Sequence, residues 1–248
     1  MDNEHVINKL NEVVQLLNSH QMHLHEHAKL LSKLRLQSEL IAGVSESKSQ
    51  FLQDLFVLKE TNYKQGGYFV EFGGTNGLDG SNSYLLEKKY GWSGIISEPA
   101  RCWTDELKKN RKVNLDFRCV WNESNQSIEF NEAAASTLST VNIFSNSDFH
   151  ASSRVEGKKY LVETISLTDL LDQHNAPKTI DYLSIDTEGS ELLILSAFDF
   201  SKYDIRIITC EHNWTPDREL INSLLTSKGY ERKHLDLTDC DDWYVRID

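Results

Sequence analysis

The chain has 248 residues, a formal net charge of −12 at pH 7 and a hydrophobic fraction of 39%. Its 3 Pro and 12 Gly exclude a collagen-like or low-complexity chain, and no stretch approaches the roughly 20 apolar residues that span a bilayer. The acidic excess lies mainly after residue 60 and disfavours nucleic acid as a partner, because neutralising a phosphate backbone takes a clustered basic surface.

The first 60 residues predict a helical oligomerisation segment. Two registers repeat every seven residues and are apolar except at Gln21: Ile7, Val14, Gln21 and Ala28 in one, and Leu10, Leu17, Leu24 and Leu31 in the other. A seven-residue repeat of this kind is typical of a coiled coil, so we expect a homo-oligomer formed through this helix. A helix packed on its own domain is the alternative, and the order of the oligomer stays open.

Residues 61–248 predict an α/β domain. Strands are predicted at 68–72, 93–97, 115–120, 180–185, 205–210, 230–235 and 243–247, and helices at 82–89, 103–110, 188–197 and 216–228. Strands that alternate with helices indicate a mainly parallel sheet with helices on both faces. Such a sheet binds ligands outside the carboxyl ends of its strands, and the candidate site residues are therefore sought there.

Two strand ends predict a nucleotide-type cofactor site. The first strand runs through Glu71 into a glycine-rich turn with Gly73 and Gly77, where the backbone approaches a ligand closely. Glu98 ends the next strand, at the place where an acid commonly binds two ribose hydroxyls. An NAD-dependent oxidoreductase shares both features, but the turn lacks the third glycine at the dinucleotide spacing.

Acidic residues also follow two later strands. Asp186 and Glu188 come after the strand at 180–185, and Glu211 and His212 come after the strand at 205–210. Carboxylates crowded at one edge of a sheet need a proton, a metal or a cationic ligand to relieve their repulsion. A sulfonium group supplies such a charge. A non-catalytic scaffold needs none of these acids, although it stays an alternative.

The runs FVEFGGTNGLDGSNSYLLEKKYGWSGIISEP, IDYLSIDTEGSELLIL, IITCEHN and DDWYVRI together resemble FkbM-type S-adenosylmethionine-dependent methyltransferases over residues 62–248. The resemblance implies the class I methyltransferase (Rossmann-like) fold, a seven-stranded sheet whose last strand is antiparallel. It also implies transfer of a methyl group from S-adenosylmethionine, usually to a hydroxyl of a sugar or another small metabolite, as in polysaccharide biosynthesis.

The resemblance also implies a role for individual residues. The cofactor site would comprise Glu71, Gly73, Gly74, Asn76 and Gly77 on the methionine side, Ser81 and Asn82 at the start of the first helix, Glu98 at the ribose, and Cys119 and Val120 at the adenine. The reacting edge would comprise Asp186, Glu188, Glu211 and His212.

Two ways of removing the acceptor proton stay open. His212 would act as a general base, since its ordinary pKa lies near the operating pH. Alternatively, Asp186 and Glu211 would hold a divalent cation such as Mg²⁺ that acidifies the hydroxyl.

The acceptor itself is not identified by the sequence. A small molecule or glycan precursor such as a nucleotide sugar is expected, and Trp214 is placed to stack on a sugar ring. Residues 131–158 have little periodicity and predict either a lid over the acceptor, with His150 or Arg154 directed inward, or a mobile surface loop. The acidic start of the chain and four cysteines without a C-x-x-C pair predict a cytoplasmic protein with free thiols.

Overall fold

The structure is a computed structural model that describes residues 43–247. The chain divides into two compact units, Met1–Ser45 and Glu46–Asp248. The heptad repeat and the oligomer expected from it lie outside the described residues, so both stay predictions. Within the described residues, no helix is long and apolar enough to cross a membrane.

The larger unit begins earlier than the boundary at residue 60 that the sequence predicts. It includes a helix, α1 (Gln53–Glu60), whose apolar side chains are buried. Phe56 of α1 stacks on Trp243 with ring centroids 4.6 Å apart, and Gln53 donates a hydrogen bond to the Asp241 carboxylate at 2.9 Å. These contacts with the end of the chain make α1 part of the α/β unit rather than of the N-terminal segment.

The described residues form eleven strands and, after α1, five more α-helices. The strands are β1 (Tyr68–Phe72), β2 (Ser93–Ser97), β3 (Asn114–Asp116), β4 (Cys119–Trp121), β5 (Ser127–Glu132), β6 (Thr140–Val141), β7 (Lys158–Ser166), β8 (Thr179–Ile185), β9 (Asp204–Glu211), β10 (Tyr230–Lys233) and β11 (Asp241–Arg246). The helices are α2 (Tyr84–Tyr90), α3 (Thr104–Asn110), α4 (Leu167–Gln173), α5 (Glu191–Ala197) and α6 (Asp217–Ser227).

Seven strands form the main sheet in the order β10-β11-β9-β8-β1-β2-β3. The pairs from β9 to β3 are parallel, and β11 is antiparallel to both β9 and β10. This is the class I methyltransferase arrangement that the resemblance implies, including the antiparallel last strand. The central strands are almost continuously buried, as expected for parallel strands covered on both faces.

The second sheet was not predicted. It has four strands in the order β4-β7-β5-β6 and lies within the part of the sequence without clear periodicity. The predicted strand at 115–120 is wrong, since β3 ends at Asp116 and Cys119 begins a strand that pairs with β7. The Asp116 carboxylate accepts hydrogen bonds from the backbone and side chain of Arg118, and this local turn ends the strand.

Candidate functional site

A cavity of about 520 Å³ opens at the carboxyl ends of β1, β2, β8 and β9. Its volume lies within the roughly 300–1,000 Å³ of small-molecule and cofactor sites. The loops between β5 and β6 and between β6 and β7 of the second sheet close one side through residues 136–139 and 149–150. The cavity is therefore at the edge of the sheet where an α/β fold of this kind binds its ligands.

The turn after β1 has room only for glycine at its first position. Gly73 has a φ of +74°, and a Cβ built on it would lie 2.0 Å from the carbonyl oxygen of Asp186. The parallel register of β1 with β8, in which Phe72 pairs with Ile185, brings these two strand ends together. Gly73 and Thr75 line the cavity, as does the following Asp79.

Other predicted residues of this turn support it instead of lining the cavity. The side-chain oxygen of Asn76 accepts hydrogen bonds from the backbone N–H groups of Leu78 and Asp79 at 3.0 and 2.9 Å. A Cβ at Gly77 would lie 2.6 Å from Cγ of Arg111, and one at Gly74 would lie 2.4 Å from a methyl group of Ile96. Neither glycine lines the cavity.

Glu71, which the resemblance places at the cofactor, binds neighbouring residues of the chain in this structure. Its buried carboxylate accepts hydrogen bonds from the Ser81 hydroxyl at 3.0 Å, from the Asn82 backbone N–H at 2.6 Å and from the Ser83 hydroxyl. The Arg111 guanidinium lies 3.6 Å from the same carboxylate. Glu71, Ser81 and Asn82 therefore fix the start of α2 and do not line the large cavity.

Glu98 follows β2 and faces the cavity, as predicted. One carboxylate oxygen accepts the backbone N–H of Thr75 at 2.9 Å, and the other accepts that of Ala100 at 2.8 Å. Burial raises the pKa of Glu98 to about 7, although both hydrogen bonds favour its charged form. Each oxygen keeps a further lone pair, which suits a ligand with two neighbouring hydroxyls.

Cys119 and Val120 line the cavity, but from a different element than expected. They belong to β4 of the second sheet rather than to the end of the third strand of the main sheet. Both are buried, and burial raises the pKa of the Cys119 thiol to about 12. They therefore form an apolar wall next to Glu98.

Three carboxylates from the two later strand ends meet in the cavity. Asp186, Glu188 and Glu211 each offer one oxygen, and these atoms lie within 4.8 Å of one another. Burial, together with the neighbouring negative charges, raises the pKa of Asp186 to about 7, that of Glu188 to about 9 and that of Glu211 well above its ordinary value. Glu211 Oε2 is buried without a hydrogen-bond partner among the described residues. This carboxylate cluster can hold a proton or a cation.

Glu188 lies in a loop and not in the predicted helix, which begins only at Glu191. Its φ of +59° is incompatible with a helix. Glu188 Oε2 accepts hydrogen bonds from the Arg154 guanidinium at 2.6 Å and from the Asn213 side chain at 3.0 Å. Arg154 is itself buried and also pairs with Asp148 at 2.9 Å. Arg154 is thus directed inward, as one of the two predictions for residues 131–158 requires.

Residues 131–158 are not a structureless insertion. They contain β6 and short 3₁₀ turns at Ser136–Leu138, Asn142–Phe144 and Ala151–Arg154. His150 lines the cavity, and Arg154 reaches Glu188. Whether this segment opens and closes as a lid stays a prediction.

The arrangement does not support His212 as a general base. Its Nδ1 accepts the backbone N–H of Trp214 at 3.1 Å, and its Nε2 lies 3.7 Å from Asp242. The ring is buried and does not line the cavity. Burial opposes the charge of Asp242, but hydrogen bonds from Arg218 and Arg232, with His212 close by, hold its pKa well below the ordinary value. His212 therefore positions the chain at the end of β9.

Several cavity residues were missed by the sequence analysis. Gln50 and Phe51 come from the segment assigned to the N-terminal helix, and Asp239 and Cys240 come from the turn between β10 and β11. The acidic run at 239–242 was the one signal that pointed to this turn. Nothing in the sequence indicates that residues 50–51 reach the cavity, because no periodicity connects them to the sheet.

The cavity is strongly acidic. No Lys or Arg lines it within residues 43–247, whereas six acidic side chains do, namely Asp79, Glu98, Asp186, Glu188, Asp239 and Glu211. Such a set of charges favours a cationic ligand and disfavours a pyrophosphate.

Solved structures similar to this chain include a precorrin-6y C5,15-methyltransferase from Geobacter metallireducens (10% identity, 77% of this chain and 85% of that chain, TM-score 0.42). A second is a methyltransferase FkbM from Methylobacillus flagellatus (13% identity, 86% of this chain and 60% of that chain, TM-score 0.45). A third is a ribosomal protein L11 methylase from Lactobacillus delbrueckii (10% identity, 79% of this chain and 78% of that chain, TM-score 0.39). No curated protein matches the chain.

The family comparison covers most of the α/β unit. The model of the methyltransferase FkbM domain matches residues 70–232, well over half of the chain. The matched range includes Gly73, Glu98 and the carboxylate cluster. The chain therefore belongs to the methyltransferase FkbM family.

Proposed function

We propose that this protein is an S-adenosylmethionine-dependent O-methyltransferase that modifies a hydroxyl of a sugar or another small metabolite. One observation carries the proposal: Glu98 and the carboxylate cluster face the same cavity, at the carboxyl ends of the strands. Glu98 can accept hydrogen bonds from the ribose hydroxyls of a nucleoside, and the carboxylate cluster can assist a hydroxyl that must lose its proton.

The described residues fit this cofactor. S-adenosylmethionine supplies a methyl group on a positively charged sulfur, and the six acids of the cavity favour that charge. Glu98 has free lone pairs for the ribose hydroxyls, while Cys119 and Val120 offer an apolar wall for the adenine. An NAD-dependent oxidoreductase fits less well, because a pyrophosphate would face the same acids with no cation from a lining Lys or Arg.

The carboxylate cluster supports the hydroxyl chemistry in either of two ways. Asp186 has a pKa near 7 and is the most accessible of the three acids, so it is suited to accept the acceptor proton. The same three oxygens also suit a divalent cation such as Mg²⁺, which prefers oxygen ligands. Activity after exhaustive chelation separates these two forms of the mechanism, because only the base form survives it.

Calorimetric titration with S-adenosylhomocysteine tests the cofactor half, with NAD⁺ titrated in parallel. We expect saturable binding of S-adenosylhomocysteine. Its affinity should fall at least tenfold in Glu98→Gln, because roughly one charge-assisted hydrogen bond is lost. Glu156→Gln is the matched control, because Glu156 is exposed and does not line the cavity. A folded protein that binds neither compound would favour the scaffold, and binding of NAD⁺ alone would favour the oxidoreductase.

A reducing compartment such as the cytoplasm is part of the proposal. All four cysteines are free, and two of them, Cys119 and Cys240, line the cavity. Oxidation of thiols at this position would alter the wall of the site, so a reducing environment suits the activity.

A further inference from the structure

We infer that the acceptor is a sugar ring without phosphate or carboxylate, and that it stacks on an aromatic surface formed by Trp214 and Phe149. This inference rests on the proposed function and names the substrate class of the same site. It follows from two aromatic side chains at the cavity, from the backbone that holds one of them, and from the charges around them.

Both aromatic side chains line the cavity and are nevertheless largely exposed. Trp214 is 58% exposed and Phe149 is 64% exposed. Aromatic side chains that are exposed beside a concave site offer a flat apolar face on which the ring of a ligand can stack. Their position at the entrance leaves the carboxylate cluster deeper in the cavity, where Glu188 and Glu211 are buried.

The backbone holds Trp214 in its exposed position. Asn213 and Trp214 have φ values of +44° and +56°, a region that non-glycine residues seldom adopt, and never without support from their surroundings. The Trp214 N–H donates to Nδ1 of His212 at 3.1 Å, and the two rings meet edge to face at 5.3 Å. The Arg218 guanidinium lies 4.9 Å from the ring centre of Trp214. These contacts fix the direction of the Trp214 side chain at the cavity.

The same loop connects the aromatic surface to the carboxylate cluster. The side chain of Asn213, the residue before Trp214, donates to Glu188 at 3.0 Å. A ring that stacks on Trp214 therefore lies next to residues that are fixed relative to the acids. This geometry suits a substrate whose ring is held at the entrance while one hydroxyl points toward Asp186 and Glu211.

The charges exclude an anionic acceptor. The six acids of the cavity are not balanced by any lining Lys or Arg within the described residues. The guanidinium groups that contact Glu188 and Trp214 are already paired: Arg154 with Asp148 and Glu188, and Arg218 with both oxygens of Asp242 at 2.9 and 2.8 Å. His150, whose ring lies against Phe149, is the remaining basic side chain at the cavity. Phosphate recognition normally takes unpaired Arg or Lys, so an uncharged or amine-bearing sugar fits better.

Saturation-transfer NMR on the protein loaded with S-adenosylhomocysteine tests this inference. The probes are the methyl glycosides of glucose, galactose, mannose, rhamnose, glucosamine and N-acetylglucosamine, each measured beside the 1-phosphate of the same sugar. We expect at least one methyl glycoside to bind, and each 1-phosphate to bind more weakly than its uncharged or amine-bearing counterpart. Trp214→Ala should weaken the binding glycoside about tenfold, and Trp214→Phe by less, because an aromatic face remains.

The controls separate this inference from the proposed function. Leu220→Ala is the matched control, since Leu220 is 55% exposed and does not line the cavity. Phe149→Ala tests the same surface if Trp214→Ala fails to fold, and an unchanged affinity for S-adenosylhomocysteine shows that each variant is intact. Cofactor binding without glycoside binding, tighter binding of the phosphates, or unchanged binding in both aromatic variants overturns the inference alone. Loss of cofactor binding in the native protein overturns the proposed function as well.

Discussion

Replacing Glu211 with Gln should make the free protein more stable and the enzyme inactive. Glu211 lies with Asp186 and Glu188 in the carboxylate cluster, and its Oε2 has no hydrogen-bond partner among the described residues. Two full charges 4.8 Å apart repel by about 3 kcal/mol at an effective dielectric constant near 20. The raised pKa values show that the cluster keeps protons near neutral pH, so only part of this repulsion acts. We expect the free energy of unfolding of Glu211→Gln to exceed that of the native protein by about 1–2 kcal/mol at pH 8.

The gain should depend on pH in a defined direction. Because burial raises the pKa values of these acids in the folded state, the folded protein holds protons that the unfolded chain has already released. Stability of the native protein therefore falls as pH rises through the window between the ordinary carboxylate values and about 9. The Glu211→Gln protein should lose less stability over this window. The difference in stability between the variant and the native protein should shrink toward pH 5, where the native cluster is protonated.

Thermal unfolding followed by circular dichroism between pH 5 and 9, with a chelator present, measures both effects. A gain of this size corresponds to a rise in Tm of about 2–8 °C at pH 8 for a domain of this length. Glu156→Gln, an exposed acid away from the cavity, should leave Tm unchanged within about 1 °C. A lower Tm of Glu211→Gln at pH 8 would refute the reasoning, because it would mean that the ionised carboxylate stabilises the fold. Methyl transfer should fall by about 100-fold or more in the same variant.

Three further predictions follow from contacts elsewhere in the unit. Affinity for S-adenosylhomocysteine should weaken about tenfold from pH 8 to pH 6, because Glu98 has a pKa of about 7 and binds hydroxyls best when ionised. The dependence should be clearly smaller in Glu98→Gln, where Asp186 is the remaining group of the cavity with a pKa of about 7. Phe56→Ala should lower the free energy of unfolding by about 3–5 kcal/mol in a urea titration, since Phe56 is fully buried against Trp243; a negligible loss would return α1 to the N-terminal segment. Arg154→Met should cost about 3–5 kcal/mol in the same assay, as it leaves Asp148 buried without its cation and removes a hydrogen bond from Glu188.

The sequence was sufficient to predict the main sheet and the edge at which the site lies. Strands β8 and β9 are rich in Ile and largely buried, and acidic residues stand at or just after the carboxyl end of each. Because parallel strands present their carboxyl ends at one edge, Gly73, Glu98 and Asp186 were expected to meet there, and they do. These predictions depend on chain order and strand direction alone.

Side-chain directions could not be predicted in the same way. Glu71 and His212 have the residue types and chain positions expected of a cofactor contact and a general base. Both nevertheless form hydrogen bonds with neighbouring residues that the sequence pattern does not specify. The charge near Glu71 comes from Arg111, 40 residues later, and the imidazole of His212 faces Asp242 in another strand. Such partners are selected by tertiary packing, which local periodicity does not encode.

The second sheet was missed for a related reason. Its strands pair over long separations, as between β5 and β7, and one of them, β6, has only two residues. The alternation in Ser127–Glu132 is short and interrupted by polar residues, so it resembles a loop. The sequence analysis therefore named Cys119, Val120 and His150 as candidate site residues without predicting the sheet that places them at the cavity.

The acidity of the cavity links stability to selectivity. The six acids destabilise the free fold, because carboxylates placed together out of water repel one another and lose hydration. The protein limits this cost by binding protons, as the raised pKa values of Glu98, Asp186 and Glu188 show. A ligand that carries positive charge relieves the same repulsion, whereas a pyrophosphate or a phosphorylated sugar increases it. In the proposed function, the charges that weaken the free protein would therefore also favour a sulfonium cofactor over a dinucleotide and an uncharged acceptor over a phosphorylated one.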